Sequence, residues 1–132
     1  MPELSKIVAF VATRNADRSR AFYADELGLR FVSDDGFALV FNIGGTMLRI
    51  ARVQEHTPAP FTVLGWEVEA IERTVADLNA KGVAFERFPG MSQDHLGIWA
   101  APGGAKVAWF KDPDGNVLSV SQHKQVKTGK RE

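Results

Sequence analysis

The pattern of apolar and polar residues predicts the same order of elements in both halves of the chain. Alternating or β-branched apolar runs predict strands, and apolar residues spaced three or four apart predict helices. The first half shows a strand, a short helix and three strands, over residues 6–13, 14–28, 29–35, 37–43 and 46–53. The second half repeats that order over residues 62–68, 69–82, 83–88, 106–112 and 116–123.

Capping residues and glycines mark where these elements end. Asn15 or Asp17 is the expected N-cap of the first helix, whose Ala21 and Phe22 should face the core. The second helix carries an apolar stripe of Ile71, Val75 and Leu78. Glycines able to adopt the left-handed conformation are expected to end both helices and to turn both final hairpins, at Gly28, Gly82, Gly45 and Gly115.

These glycines also align the two halves. Gly28 maps to Gly82 with an offset of 54, and Gly45 maps to Gly115 with an offset of 70. The second half therefore carries 16 extra residues, which lie in 88–104 and are expected to form a long loop or an added hairpin.

The repeat predicts one α+β domain, because a single sheet of this kind leaves an apolar face that needs covering. We expect the domain to span 5–123, with two βαβββ modules at about 5–55 and 61–123. Residues 124–132 form a polar C-terminal tail.

Composition narrows the classes of function. The chain has 16 basic and 16 acidic side chains and no basic stripe, so neither nucleic acid nor a membrane is an expected partner. It has no cysteine, which excludes disulfides, thiolate metal sites and a cysteine nucleophile. The start of the sequence carries no leader pattern and no apolar run is long, which predicts a cytoplasmic protein. A net charge of zero favours self-association.

Two stretches, RSRAFYADELGLRF in the first half and VAWFKDPDGNVLSVSQ in the second, are similar to known sequences. They resemble the vicinal oxygen chelate superfamily, which includes glyoxalase I, bleomycin-resistance proteins and extradiol dioxygenases. The resemblance covers about residues 5–123 and implies two βαβββ modules curled around a cavity, often in a homodimer. Enzymatic members hold a divalent metal there, through one side chain from the first and one from the fourth strand of each module.

The residues at the four matching positions do not suit that metal site. These positions hold Ala9, Arg49, Val63 and Ser119, where the superfamily usually has His and Glu. Alanine and valine have no donor atom, arginine would repel the ion, and serine is a weak ligand. We therefore expect no metal or other cofactor. The predicted function is binding of a small organic molecule in the cavity or dimer groove, as in the bleomycin-resistance proteins.

Strand alternation predicts which side chains line the cavity. On the first strand these are Ile7, Ala9 and Val11. The polar candidates for ligand contact are Arg49, Glu67, Ser119 and Ser121, and Trp99 in the extra segment is added because loops on a scaffold often bind ligands. Arg49 could hold a carboxylate or phosphate of the ligand, or could instead pair with Glu67.

Two points stay open at this stage: which aromatic residue of one strand lines the cavity, and whether the two modules pair within one chain or swap between chains. Trp109 and Phe110 face opposite sides of one strand, and the sequence does not say which of them lines the cavity. Asp112 and Asp114 are interpreted as structural, because Pro113 and Gly115 suit a tight turn.

Two other functions also stay open. The first is a lyase, isomerase or dioxygenase, with acid–base groups at Glu67, His95 or His123 or with a metal held by Asp94, His95 and His123. The second is a sensor or accessory subunit whose dimer surface matters more than its cavity.

Overall fold

The computed structural model describes residues 2–124, so most of the predicted tail lies outside the described residues. Within these described residues, the chain forms eight strands and two helical segments. The first repeat comprises β1 (Val8–Thr13), α1 (Ala16–Arg20) with a π-helical continuation (Ala21–Glu26), β2 (Arg30–Asp34), β3 (Ala38–Ile43) and β4 (Thr46–Arg52). The second comprises β5 (Thr62–Glu67), α2 (Ile71–Ala80), β6 (Trp99–Ala100), β7 (Lys106–Lys111) and β8 (Val117–Gln122).

The strands form two sheets with the same internal order. The first sheet is β1-β4-β3-β2 and the second is β5-β8-β7-β6. In each sheet the first and fourth strands of the repeat run parallel, and the other pairs are antiparallel. The predicted α+β class and the repeated architecture are therefore confirmed.

One apolar core lies on the helix side of both sheets. Leu48 and Ile50 of the first sheet and Phe110 and Leu118 of the second are fully buried in it. The ring of Phe22, from the first repeat, lies 6.4 Å from that of Phe110 in the second. The helix faces of both sheets therefore pack against the same apolar core.

The first helix ends in a wider turn than the sequence predicts. Asn15 caps its N-terminus, since its side chain accepts a hydrogen bond from Arg18 N, and Gly28 follows with a positive φ of 73°. In the π-helical part, Leu27 N donates to Phe22 O across five residues, at 2.9 Å. The wider turn brings the neighbours Phe22 and Tyr23 both into the core, and Ala21 is exposed. The prediction that Ala21 is buried was wrong.

The edge strand beside β7 in the second sheet is interrupted. The predicted strand at 83–88 is reduced to a single bridge from Phe85 to Phe110, while Trp99 pairs with Val107 further along the same edge of β7. The extra residues therefore lie within an edge strand. The alternating pattern of 83–88 predicts a strand, but it does not show that pairing with β7 breaks off there and resumes at Trp99.

The turn between β7 and β8 contacts the first repeat. Asp114 accepts hydrogen bonds from Thr13 Oγ1 at 2.6 Å and from Arg14 N at 2.8 Å. The buried Tyr23 hydroxyl donates to Asp112 Oδ2 at 2.6 Å. Burial and the neighbouring Asp112 carboxylate both raise the pKa of Tyr23 far above its usual value, so this tyrosine stays protonated. The turn residues thus join the two repeats.

Within residues 2–124, no helix is both long enough and apolar enough to cross a membrane.

Candidate ligand-binding faces

Each sheet has a helix face, which lies in the core, and an opposite face, which we call its open face. On β4 the two faces separate as predicted: Leu48 and Ile50 are fully buried, whereas Met47 is 41% exposed and Arg49 is half-buried. Arg49 therefore belongs to the open face of the first sheet.

The prediction for β1 was wrong by one residue. Val11 lies in the core and Ala9 packs against it, so these side chains point to the helix face. Phe10 pairs in register with Arg49 and, at 60% exposed, lies beside it on the open face. Because apolar residues occupy both faces of β1, its sequence does not alternate and its orientation could not be deduced. The corrected position has no donor atom for a metal either.

Arg49 forms an ion pair inside its own sheet. Its guanidinium lies 2.7 Å from Asp35 Oδ2, at the turn between β2 and β3. A hydrogen bond from Arg49, followed by those from Ala38 N and Phe37 N, lowers the pKa of Asp35. The suggested pairing of Arg49 with Glu67 is therefore wrong, because a closer carboxylate on the same sheet takes that place.

The open face of the second sheet contains a small notch. Gly65, Ser119 and Trp109 lie in one row across β5, β8 and β7. A Cβ added at Gly65 would approach Ser119 Oγ to 2.6 Å, so the glycine leaves room for this hydroxyl. In the next row, the exposed Glu67 lies beside Ser121.

Trp109, in the row of the notch, contacts two further aromatic rings. Trp109 lies 5.4 Å from Phe88 in an edge-to-face contact and 6.1 Å from Trp99, measured between ring centroids. Trp109 Nε1 donates a hydrogen bond to Thr62 Oγ1 at 3.1 Å, which fixes the indole. The sequence left the choice between Trp109 and Phe110 open. The structure places Trp109 on the open face and Phe110 in the core, so Trp109 and Phe88 join Trp99 as candidate contacts.

The histidines and nearby carboxylates do not converge. Asp94 Oδ1 accepts from Leu96 N and Ile98 N within its own turn. Burial alone would raise the pKa of Asp94, but the hydrogen bonds from Ile98 N and Leu96 N outweigh it and lower the value. His123 Nε2 lies 3.0 Å from Ser121 Oγ. Among residues 2–124, no three His, Asp or Glu side chains lie where they could share a metal ion.

A superfamily metal does not fit the side chains at the four matching positions. At the positions expected to hold it, one finds an arginine already paired with a carboxylate and a serine hydroxyl. The predicted site residues divide between the sheets: Arg49 lies on the first, whereas Glu67, Ser119, Ser121 and Trp99 lie on the second. No described contact joins Arg49 to the other four within one chain.

A family model described as the Glyoxalase/Bleomycin resistance protein/Dioxygenase superfamily matches residues 6–120. The chain belongs to this superfamily. A search of curated proteins found no match.

Solved structures with the same fold are distant in sequence. A glyoxalase family protein from Bacillus anthracis has a TM-score of 0.73 at 20% identity, covering 94% of this chain and 98% of that one. A lactoylglutathione lyase from Agrobacterium tumefaciens has a TM-score of 0.70 at 19% identity, covering 92% and 96%. A glyoxalase family protein from Enterococcus faecalis has a TM-score of 0.64 at 23% identity, covering 90% and 96%. At these identities the likeness establishes the fold alone.

Proposed function

We propose that this member of the superfamily binds a small organic molecule between open sheet faces, as a homodimer, without the four-ligand metal site of the enzymatic members. The observation that carries this proposal is the make-up of the two faces. They present apolar and aromatic side chains with a few polar groups, the composition of small-molecule sites in general. Sequestration or transport of the ligand is the activity that such a surface supports.

Each polar group has a role in this proposal. Arg49, held in place by Asp35, presents its remaining N–H donors to a carboxylate, phosphate or carbonyl oxygen of the ligand. The hydroxyls of Ser119 and Ser121 and the carboxylate of Glu67 fix the other end. The aromatic border formed by Phe88, Trp99 and Trp109 supplies contact area for a ring or an aliphatic body.

We also propose that residues 5–123 act as one domain made of two modules. The shared core and the contacts of Asp112 and Asp114 with the first repeat support this division.

Ligands would be identified by thermal shift with a panel of aromatic acids, amino acids and phosphates, and their affinities measured by calorimetry. Arg49→Ala should then weaken binding of any anionic hit by about tenfold or more, since a charge-assisted hydrogen bond contributes about 1.5–3 kcal/mol. Arg52→Ala is the matched control. Arg52 also lies on β4 and forms an ion pair, with Asp34 of β2, but by alternation its side chain points to the face opposite to that of Arg49. Equal affinity of the Arg49 variant and the wild type would refute the role of Arg49.

Metal content, measured on untagged protein purified without chelators and after titration with Mn, Fe, Ni and Zn, tests the other half of the proposal. Absence of a tight, stoichiometric site would support metal-independent binding. One tightly bound metal per chain would instead favour a lyase, isomerase or dioxygenase activity.

A further inference from the structure

A polar cleft lies where the two repeats and the segment between them come together. Its volume is about 310 Å³, and we call it the junction cleft. It is separate from the open faces, because none of the residues considered above for ligand binding lines it. Its lining comes from the first repeat, the linker and the turn between β7 and β8: Arg14, Asn15, Arg18, His56, Pro113 and Asp114.

Two arginines line the junction cleft without a carboxylate partner. Arg14 and Arg18 are both exposed, and neither forms an ion pair with any residue that the structure describes. Asp17, which lies between them in the sequence, does not line the cleft. Two guanidiniums that share a cleft repel one another, and a bound anion would relieve this repulsion.

The carboxylate of Asp114 also lines the cleft, but its oxygens already accept hydrogen bonds from the first repeat. Oδ1 accepts from Arg14 N at 2.8 Å, and Oδ2 accepts from Thr13 Oγ1 at 2.6 Å. These bonds fix the carboxylate and hold the backbone of Arg14 beside the turn. The cleft therefore keeps a surplus of positive charge, with two guanidiniums against one carboxylate.

The half-buried imidazole of His56 is held in a fixed orientation at the same cleft. Asn116 Nδ2 donates to Ala12 O at 2.9 Å and to Asp112 Oδ2 at 2.8 Å, so Asn116 Oδ1 is left to accept. His56 Nε2 lies 2.7 Å from this oxygen and is therefore a protonated nitrogen. Within the part of the chain that the structure describes, Nδ1 makes no hydrogen bond. In the neutral ring, Nδ1 can accept one from a ligand hydroxyl.

We propose that the junction cleft binds a phosphate monoester of a small hydroxylated molecule. Each guanidinium can offer two parallel N–H donors to an oxyanion. A carboxylate has only two oxygens and would occupy one such pair of donors, whereas the three terminal oxygens of a phosphate can serve both arginines.

The rest of the cleft suits the remainder of such a ligand. Pro113 is the one apolar side chain among the lining residues, so the cleft favours a polar body over a hydrocarbon one. A hydroxyl of the ligand can donate to His56 Nδ1. This site is independent of the open faces and gives the protein a second ligand.

Calorimetric titration with glycerol 3-phosphate tests the site at about pH 8, where a phosphate monoester carries close to two negative charges. Ionic strength is held constant, because salt screens exposed charges. The test variant combines Arg14→Gln with Arg18→Gln, which keeps the backbone N–H groups of both residues and their hydrogen bonds. The matched control combines Arg30→Gln with Arg73→Gln, two exposed arginines outside the cleft, so both variants lose the same charge.

The wild type and the control variant should bind with similar affinity. The test variant should bind at least about tenfold more weakly, because it loses the charge-assisted hydrogen bonds to the phosphate. Since a ligand that binds only the folded state stabilises it, glycerol 3-phosphate should raise the thermal unfolding midpoint of the wild type and the control, but not of the test variant. Circular dichroism confirms that both variants are folded.

Three outcomes would overturn the inference: no saturable binding to the wild type, equal weakening in both double variants, or equally tight binding of glycerate, a hydroxylated carboxylate of similar size. If the test variant does not fold, the amide chemical shifts of the wild type during the titration decide the question. The amide signals of Arg14, His56 and Asp114 should then move, and changes confined to the open faces would refute the site.

Discussion

The two repeats end in hairpins at equivalent positions, but their turns are used differently. The turn of the first repeat, Gly44–Gly45, is exposed, and a side chain added at either glycine would meet nothing within 4 Å. The turn of the second, from Asp112 to Gly115, packs onto the first repeat through two carboxylates and lies against Pro58. A duplicated element has thus kept its geometry in both copies, whereas only one copy joins the repeats.

Acidic side chains at turns of the two repeats differ in the same way. In the first repeat, Asp34 and Asp35 pair with Arg52 and Arg49 at the exposed end of their own sheet. In the second, Asp112 is 5% exposed and bonds to a tyrosine 89 residues away. A buried hydrogen bond between distant segments should matter more for stability than an exposed ion pair, and three measurements test this ranking.

The largest effect is expected from Asp112→Ala. Its carboxylate accepts bonds from Tyr23 OH, Asn116 Nδ2 and the backbone N–H groups of Asp114 and Asn116, all of which would lose this partner. We expect the free energy of unfolding to fall by about 3 kcal/mol, because several buried donors lose their acceptor together. Urea denaturation with a fixed m-value measures this change.

Asp112→Asn is the control for side-chain shape. It should lower the free energy of unfolding by less than Asp112→Ala, because its amide oxygen can still accept a hydrogen bond. A loss below about 1 kcal/mol in the alanine variant would mean that the turn does not join the repeats energetically.

An intermediate effect separates the two turns directly. Gly45 and Gly115 both have positive φ, 96° and 87°, so alanine at either position is strained by about 1 kcal/mol. At Gly115 the new methyl would also lie 3.0 Å from Pro58 Cγ. Gly115→Ala should therefore lower the urea midpoint more than Gly45→Ala. Equal midpoints for the two variants would show that the close approach of Gly115 to Pro58 does not affect stability.

The smallest effect concerns pH and the exposed pair of Asp34 with Arg52. Hydrogen bonds from Arg52 and then from Gly36 N lower the pKa of Asp34 from 3.8 to about 2. A carboxyl with a lowered folded-state pKa stabilises the protein above pH 4, and this contribution is lost as the pH falls towards 2. Asp34→Asn should make the urea midpoint slightly less sensitive to pH over that interval, and salt should weaken the difference. Asp77→Asn, on the exposed side of α2, serves as the control; an identical pH dependence in both variants would contradict the assignment.

The sequence predicted the repeat, the α+β class and the faces of β4, β5 and β8, because large apolar residues occupy every second position there: Leu48 and Ile50, Leu64 and Trp66, Leu118 and Val120. It failed on β1, which is apolar on both sides, and on Ala21, whose orientation depends on a π-helical turn. It recognised Asp112 and Asp114 as turn residues, but could not identify their partners in the first repeat. Contacts between residues about 100 positions apart leave no local pattern, as the bond from Thr13 to Asp114 illustrates.

The candidate site was predictable to a similar degree. Arg49, Ser119, Ser121 and Glu67 were placed on open faces by alternation alone. Trp109 was not assigned, since two neighbouring aromatic residues on one strand fit either orientation equally well. The ion pair of Arg49 with Asp35 was missed because it depends on the conformation of the β2–β3 turn, whereas the prediction considered only residues across the cavity.

The interrupted edge strand beside β7 in the second sheet has a consequence for aggregation. An uninterrupted strand at the edge of a sheet offers unpaired N–H and C=O groups, to which further chains can add. Two of the four edge strands depart from this regular form: β6 is only two residues long, and the pairing of β2 shifts between Phe31 and Ser33. Neither of these two edges offers a long regular template. Addition of a further chain is therefore disfavoured at β2 and at β6, and the insertion within the second sheet protects the edge that it interrupts.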